Sequence, residues 1–275
     1  MLQNTTEDKF RYPLLLVHGM GFRDRDHLNY WGRIPAVLES EGATVYYGNQ
    51  DSNGSIESNA AFLAERIRKI AAEEHIEKFN VIAHSKGGLD IRYAISTLKI
   101  NDLIASVTTI QTPHNGSLTV DKLLKLPDFM VRSAAFMTDI WFKILGDRDP
   151  HTYDAVKCFR TSAAREFNLA NPDDPDIYYQ SYAFTCKKVT SDMFLWFSNL
   201  VVRMVEGEND GLLTPESVKW GDFRGQFSSV TNRGISHCDS IDMRRRPFSR
   251  KQGDGISDIT DFYRNVAIEL KQKGF

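Results

Sequence analysis

Along the first 115 residues, apolar positions follow two rhythms in turn. Short β-rich runs, YPLLLVHG (12–19), ATVYYG (43–48), FNVIAH (79–84) and LIASVTTI (103–110), read as strands. Between them the spacing lengthens to that of a helix. YWGRIPAVLESEG sets Trp31, Ile34 and Leu38 on one face, and SIESNAAFLAERIRKIAAEE aligns Leu63, Ile67 and Ile70 behind Ser55 as N-cap. GGLDIRYAISTLK (87–99) reads as a third helix. Strand–helix–strand repetition with short turns predicts right-handed crossovers and a mostly parallel sheet covered on both faces.

After TPHNGS (112–117) the rhythm changes. From Leu118 to about Asp149 no strand pattern appears, and two helical segments rich in Phe, Met, Trp and Leu are broken near Pro127. The polar NPDDPD (171–176) follows, then YYQSYAFT (178–185), LVVRMVEG (200–207) and QFSSVTN (226–232), which read as further strands. A closing helix in GISDITDFYRNVAIELKQKG carries Ile259, Phe262, Val266 and Leu270 in line. There is no internal repeat. The prediction is one α/β domain over 1–275 with a helical lid or cap insertion at about 118–170.

Composition narrows the class without naming a chemistry. Hydrophobic residues at 41% and charged residues at 25% of 275 fit a globular protein with a sizeable core. A formal net charge of -2 argues against nucleic acid as a partner, because phosphate binding needs clustered positive charge. Cys158, Cys186 and Cys238 form neither a disulfide framework nor a zinc spacing. MLQNTTEDKFRYP lacks an apolar core of signal-peptide length, and MFLWFSNLVV (193–202) is too short to span a bilayer. These features predict a cytoplasmic protein with no transmembrane segment; a trimmed secreted chain would read the same.

Candidate chemistry lies just past the predicted strand ends, where open parallel sheets gather functional groups. HGMG (18–21), AHSKGG (83–88) and TPHNGS (112–117) all sit there. AHSKGG has the form of a nucleophile elbow, with Ala83 as the small residue before the turn and Ser85 at its apex. A bare small-x-Ser-x-Gly pattern is more often a turn than a site; the strand before it and the helix after it supply the confirming context. A serine hydroxyl needs a base, and the base needs a carboxylate. In this chain order the acid precedes the histidine. Beyond Ser85 lie His114, His151 and His237. His114 follows its strand too closely and reads as a structural residue, and His151 falls in the insertion. His237, in GISHCDS, is the candidate base. Asp210, in ENDGLL, is the first choice of acid, with Asp222 second and Glu208 third. Backbone N–H groups of Lys86, after the serine, and Met20, in HGMG, are candidate donors to an oxyanion.

Together PLLLVHGMG, YWGRIPAVLESEGATVYY, FNVIAHSKGGLDIRY and ASVTTIQTPHNGS, then ENDGLL and SHCDSID, resemble the α/β-hydrolase superfamily and, within it, the bacterial triacylglycerol lipases. The resemblance is close over the first 117 residues and resumes around the acid and the histidine. It implies Ser85 as nucleophile, Asp210 as acid, His237 as base, and Met20 and Lys86 as the oxyanion hole. It also implies a calcium site in many members, for which Asp239 and, more loosely, Asp192 are the candidate ligands. Where relatives carry a glutamine four residues after Asp239, this chain has Met243, which brings no oxygen. TPHNGS resembles the lead into a lipase lid, with Phe129, Met130, Phe136, Met137, Trp141, Phe142 and Leu145 as its apolar residues.

The expectation is a serine carboxylester hydrolase, a lipase on medium or long acyl esters, needing no organic cofactor and touching a lipid interface transiently. RRRPFSRK (244–251) reads as a solvated loop, with attraction to anionic headgroups as the alternative. Rival readings are an esterase, polyester depolymerase or acyltransferase on the same triad, or a non-catalytic binding protein that keeps the fold.

Overall fold

The structure is a computed structural model that describes residues 9–21, 29–52, 54–125 and 157–275. Six strands form one sheet: β1 (Leu14–Val17), β2 (Val45–Tyr47), β3 (Phe79–His84), β4 (Ile104–Ile110), β5 (Tyr178–Phe184) and β6 (Asp222–Phe227). Their order is β2-β1-β3-β4-β5-β6, and every pairing is parallel. All carboxyl ends therefore open onto the same rim.

Alternation along β1 divides the core in two. Leu14 and Leu16 face one side, where they join Trp31, Ile34 and Leu38 around α1 (Ile34–Ser40) and Phe262, Tyr263, Val266 and Leu270 of the C-terminal helix Ile259–Gln272. Leu15 and Val17 face the other, packed with Leu63 and Ile67 of α2 (Ile56–Glu74) and Ile91 and Ala94 of α3 (Gly87–Ser96). Period-two alternation within fully buried strands produces these two cores. Ser55 caps α2 as expected, accepting from the Ser58 N–H at 3.1 Å.

The part of the chain after β4 departs from expectation twice. LVVRMVEG is not a strand: α4 (Leu118–Leu123) and α5 (Thr161–Ala170) are followed by β5, and then Trp196–Val205 forms helix α6. A short apolar run with paired valines fits both periods, and this one lacks a clean apolar stripe. Its buried residues are Asn199 and Val202, while Phe197, Leu200 and Met204 are exposed. The second departure concerns QFSSVTN, of which only Gln226 and Phe227 belong to β6; that strand begins back at Asp222. β6 is an edge strand with alternating exposure and Gly225 at φ +112°, so it carries little hydrophobic signal. Short helix α7 (Pro215–Val218) precedes it, and α8 (Ile259–Gln272) closes the chain. The seven apolar residues expected in the lid, Phe129 to Leu145, and His151 lie outside the described residues, so only the flanks of the 118–170 insertion, α4 and α5, are seen. Among the described residues no helix is long and apolar enough to cross a membrane.

Candidate active site

Ser85 stands between β3 and α3 with φ at +53°, a left-handed backbone that a non-glycine residue adopts only when its surroundings impose it. The surroundings do so from three directions. Ser85 N–H donates to the Ile110 carbonyl at 2.9 Å, and its own carbonyl accepts from Gly88 N–H at 3.1 Å and Thr112 Oγ1 at 2.8 Å. The neighbouring glycines are there for space. A Cβ on Gly87 would collide with the carbonyls of Val17 and His18, and one on Gly88 with Thr112. A Cβ on Gly19 would lie 2.7 Å from Ser85 Cβ. The loop after β1 and the elbow after β3 thus press backbone against backbone. This brings Gly19 to Ser85; Met20, next along the chain, is half-buried and Lys86 is buried.

Two hydrogen bonds hold that first loop. Gln50 Nε2 donates to the His18 carbonyl at 2.7 Å, and His18 Nε2 lies 3.1 Å from the Gln50 carbonyl. The Lys86 ammonium turns inward and donates to Asp90 Oδ1 at 2.6 Å, both side chains being buried. Asp90 Oδ2 accepts from Asn59 Nδ2 of α2 at 2.9 Å. Burial pushes the Asp90 carboxyl up to about 6, against the pull of Lys86 and the Asn59 bond.

Asp210 and His237 meet on the same rim. His237 Nδ1 lies 2.6 Å from Asp210 Oδ2, and the His237 backbone N–H donates to the Asp210 carbonyl at 2.8 Å. Asp210 is fully buried. Its Oδ1 accepts the N–H groups of Leu212 (2.8 Å) and Leu213 (2.7 Å), and its Oδ2 also accepts Gln111 Nε2 at 2.5 Å. Four hydrogen-bond partners on one carboxylate fix its plane. Contrary to expectation, Asp210 does not leave the end of a strand; it follows α6. Cys186 N–H bonding to the Asn209 carbonyl at 2.8 Å anchors its loop just past β5.

The His237 ring packs on His84, the residue before Ser85, with centroids 4.6 Å apart. His84 is fixed between Tyr30 Oη, 2.7 Å from Nδ1, and Ser240 Oγ, 2.9 Å from Nε2. Burial, reinforced by the nearby His237, pushes the His84 pKa well below the ordinary value and keeps it neutral. Ser240 Oγ also bonds the His237 carbonyl at 2.7 Å, so one hydroxyl ties the elbow to the histidine loop.

The other sequence candidates are placed away from this arrangement. Asp222 begins β6, on the opposite rim, where it accepts from Tyr178 Oη at 2.7 Å and pairs with Arg224. Glu208 is exposed and accepts from Gln226 Nε2 at 2.8 Å. His114 is a buried packing residue, stacked on Trp220 with centroids 4.4 Å apart and 3.0 Å from Thr109 Oγ1. Gln111, His84, Tyr30 and Gln50 are not singled out by the sequence reading; the places of His84 and Gln111 at predicted strand ends are the signals that could have flagged them.

Asp239 and Asp192 do approach one another, through Ser236, but their oxygens are taken. Asp192 Oδ1 accepts Phe194 and Leu195 N–H groups at 2.9 and 3.2 Å, and its Oδ2 accepts Ser236 Oγ at 2.6 Å. Arg244 lies across Asp239, with Nε 2.5 Å from Oδ1 and Nη2 2.9 Å from Oδ2. Calcium needs six or more oxygen ligands, and here a guanidinium faces the carboxylate where the ion would sit. These residues do not fit calcium. Among the described residues no group of three or more His, Cys, Asp or Glu side chains could hold a metal.

Comparison with known proteins gives the arrangement a context. A family model described as palmitoyl protein thioesterase matches residues 13–248. Triacylglycerol lipase 2 of Saccharomyces cerevisiae is 32% identical over 263 residues, covering 90% of this chain and 75% of the yeast protein. A triacylglycerol lipase of Pseudarthrobacter phenanthrenivorans is 39% identical over 117 residues, covering 40% of this chain and 36% of that one. Among solved structures, a metagenomic carboxyl esterase superposes with TM-score 0.71 at 18% identity, covering 95% of this chain and 76% of that one. The mature form of a Bacillus licheniformis lipase superposes with TM-score 0.63 at 21% identity, covering 84% and 86%. At those identities the superpositions speak for the fold: an α/β-hydrolase. The family match and the yeast relative, each spanning most of the chain, carry the rest: the protein belongs to the palmitoyl protein thioesterase family of α/β-hydrolases, alongside the triacylglycerol lipases, and is a carboxylic ester hydrolase.

Proposed function

We propose that the protein cleaves medium- or long-chain acyl esters, triacylglycerol among them, through an acyl-enzyme on Ser85. His237 takes the Ser85 proton as the hydroxyl attacks the ester carbonyl and delivers it to the leaving alcohol. Asp210 holds the imidazole by its Nδ1–H and stabilises the charged form. Met20 and Lys86 N–H groups receive the developing oxyanion, and water then releases the acyl group along the reverse path. The observation that carries this reading is the 2.6 Å His237–Asp210 pair packed against His84, the residue beside a serine held at φ +53°. The lipase names of the relatives support the choice of substrate.

A second reading follows from the family description: the acyl group arrives as a thioester on a protein. The same atoms would serve, with a thiol as leaving group. Both are tested together. A fluorophosphonate probe should label the wild type and not Ser85→Ala, and that variant should lose about 10⁶ in turnover. Emulsified triacylglycerol and nitrophenyl esters of increasing chain length are then compared with a palmitoylated cysteine peptide. Preference for the thioester would replace the lipase reading, and undiminished turnover in Ser85→Ala would remove the mechanism.

A further inference from the structure

The loop that carries His237 is fastened to the segment 188–195 by charge. Ser236, just before His237, donates its hydroxyl to Asp192 at 2.6 Å and accepts the Asp239 N–H at 3.1 Å. Asp192 and Asp239 thus bring two buried carboxylates from separate loops to one point, where their mutual repulsion would push the loops apart. Arg244 lies over Asp239 as a two-pronged fork and extends Nη2 to the Ser191 carbonyl at 3.2 Å. Arg233 donates to the same carbonyl through Nε at 3.1 Å and through Nη2, and its own carbonyl accepts from Ser191 Oγ. One carbonyl oxygen and one carboxylate, drawn from the two loops, therefore converge on guanidinium groups.

We propose that Arg244 is a built-in cation: a positioning residue whose guanidinium joins the His237 loop to the 188–195 segment, in place of a divalent metal, and so frees the protein from calcium. The charge it supplies is attached covalently, so no chelator can remove it. Its planar fork satisfies both oxygens of Asp239, which a lysine ammonium cannot do in the same way. Met243 fits the same account, since an arginine-bridged site has no use for an oxygen ligand there.

The test has an arm that needs no activity. Thermal unfolding of the wild type should be unchanged by excess EGTA or by millimolar calcium. Arg244→Gln replaces the cation with an amide and leaves the carboxylates facing each other. It should unfold at a lower temperature and regain part of the loss in millimolar calcium but not magnesium. Arg244→Lys should lie between the two and ignore calcium. The second arm rests on the proposed serine mechanism. On a soluble nitrophenyl ester, Arg244→Gln should lower kcat roughly 10- to 100-fold with KM nearly unchanged, as expected when a reacting group is misplaced but substrate binding is intact. Loss of wild-type stability in EGTA would overturn the proposal, as would an Arg244→Gln protein equal to wild type in unfolding temperature. Failure of the serine mechanism alone would show as no turnover in any form, with the unfolding results standing.

Discussion

Gly19 is a position where chemistry leaves no room for a side chain. A Cβ there would come within 2.7 Å of Ser85 Cβ and 2.8 Å of Tyr30 Oη, and the second atom is hydrogen-bonded to His84, against which His237 packs. An alanine must therefore push the loop after β1 away from Ser85, or push Tyr30 off His84. Either movement displaces the Met20 N–H relative to the serine. Because misplacement by about 1 Å can cost on the order of 100-fold in rate, Gly19→Ala should lower kcat roughly 100-fold with a smaller effect on KM. Steady-state kinetics on a soluble nitrophenyl ester measure this directly. A change under twofold would mean that the loop does not set the geometry around Ser85. Gln111 acts at the same scale from the other side. Its left-handed backbone (φ +51°) at the end of β4 turns Nε2 onto Asp210 and onto the Phe184 carbonyl at 3.0 Å.

Between elements, the first turn of α3 is joined to α2 through buried polar groups. Lys86 and Asp90 are one helical turn apart, which lets their side chains meet inside the protein, and Asn59 links that pair to α2. Breaking a buried pair by deleting one partner leaves the other charge without compensation, at a cost of about 3–5 kcal/mol. Lys86→Met should show that loss in urea unfolding at neutral pH. Adding Asp90→Asn should give part of it back, because the orphaned charge is then gone while Asn59 keeps an acceptor. Simple additivity of the two losses would contradict this account. The same scale shows what could be read from the chain. β1, β3 and β4 were legible because buried parallel strands leave continuous apolar runs, and Ser55 and the Ser85 turn were legible because caps and elbows are local. α6 was not, since its inward face includes the polar Asn199, and a period cannot be seen when one of its positions breaks the pattern. β6 was read in the wrong place because an edge strand need bury little. Gln111 and Arg244 owe their roles partly to distant partners: Gln111–Asp210 is separated by 99 residues and Arg244–Ser191 by 53.

Across the whole molecule, buried titratable groups set how the fold responds to acid. His84 and His114 are both buried and neutral, each with its pKa depressed first by desolvation; a nearby histidine adds to this at His84 and Arg92 at His114. In the unfolded chain each would take up a proton below about pH 6.5. There the unfolded state binds more protons than the native one, so stability falls with decreasing pH by about 1.4 kcal/mol per pH unit for each histidine. Asp90 works in the opposite sense. Its native carboxyl, raised to about 6 from 3.8, holds a proton that the unfolded chain releases, so between those values it contributes stability that grows as pH falls. Asp173 and Asp239, whose carboxyls burial also raises, work in the same sense as Asp90. The expected outcome is that His84 and His114 draw stability down as pH falls below about 6.5, against the opposing contribution of the raised carboxyls. Urea unfolding at pH 7, 6, 5 and 4 measures that slope, and Asp90→Asn should shift it toward a greater loss on acidification because one opposing carboxyl is removed. Equal slopes in the wild type and Asp90→Asn would mean that the native Asp90 carboxyl holds no proton that the unfolded chain releases, against the burial that raises it.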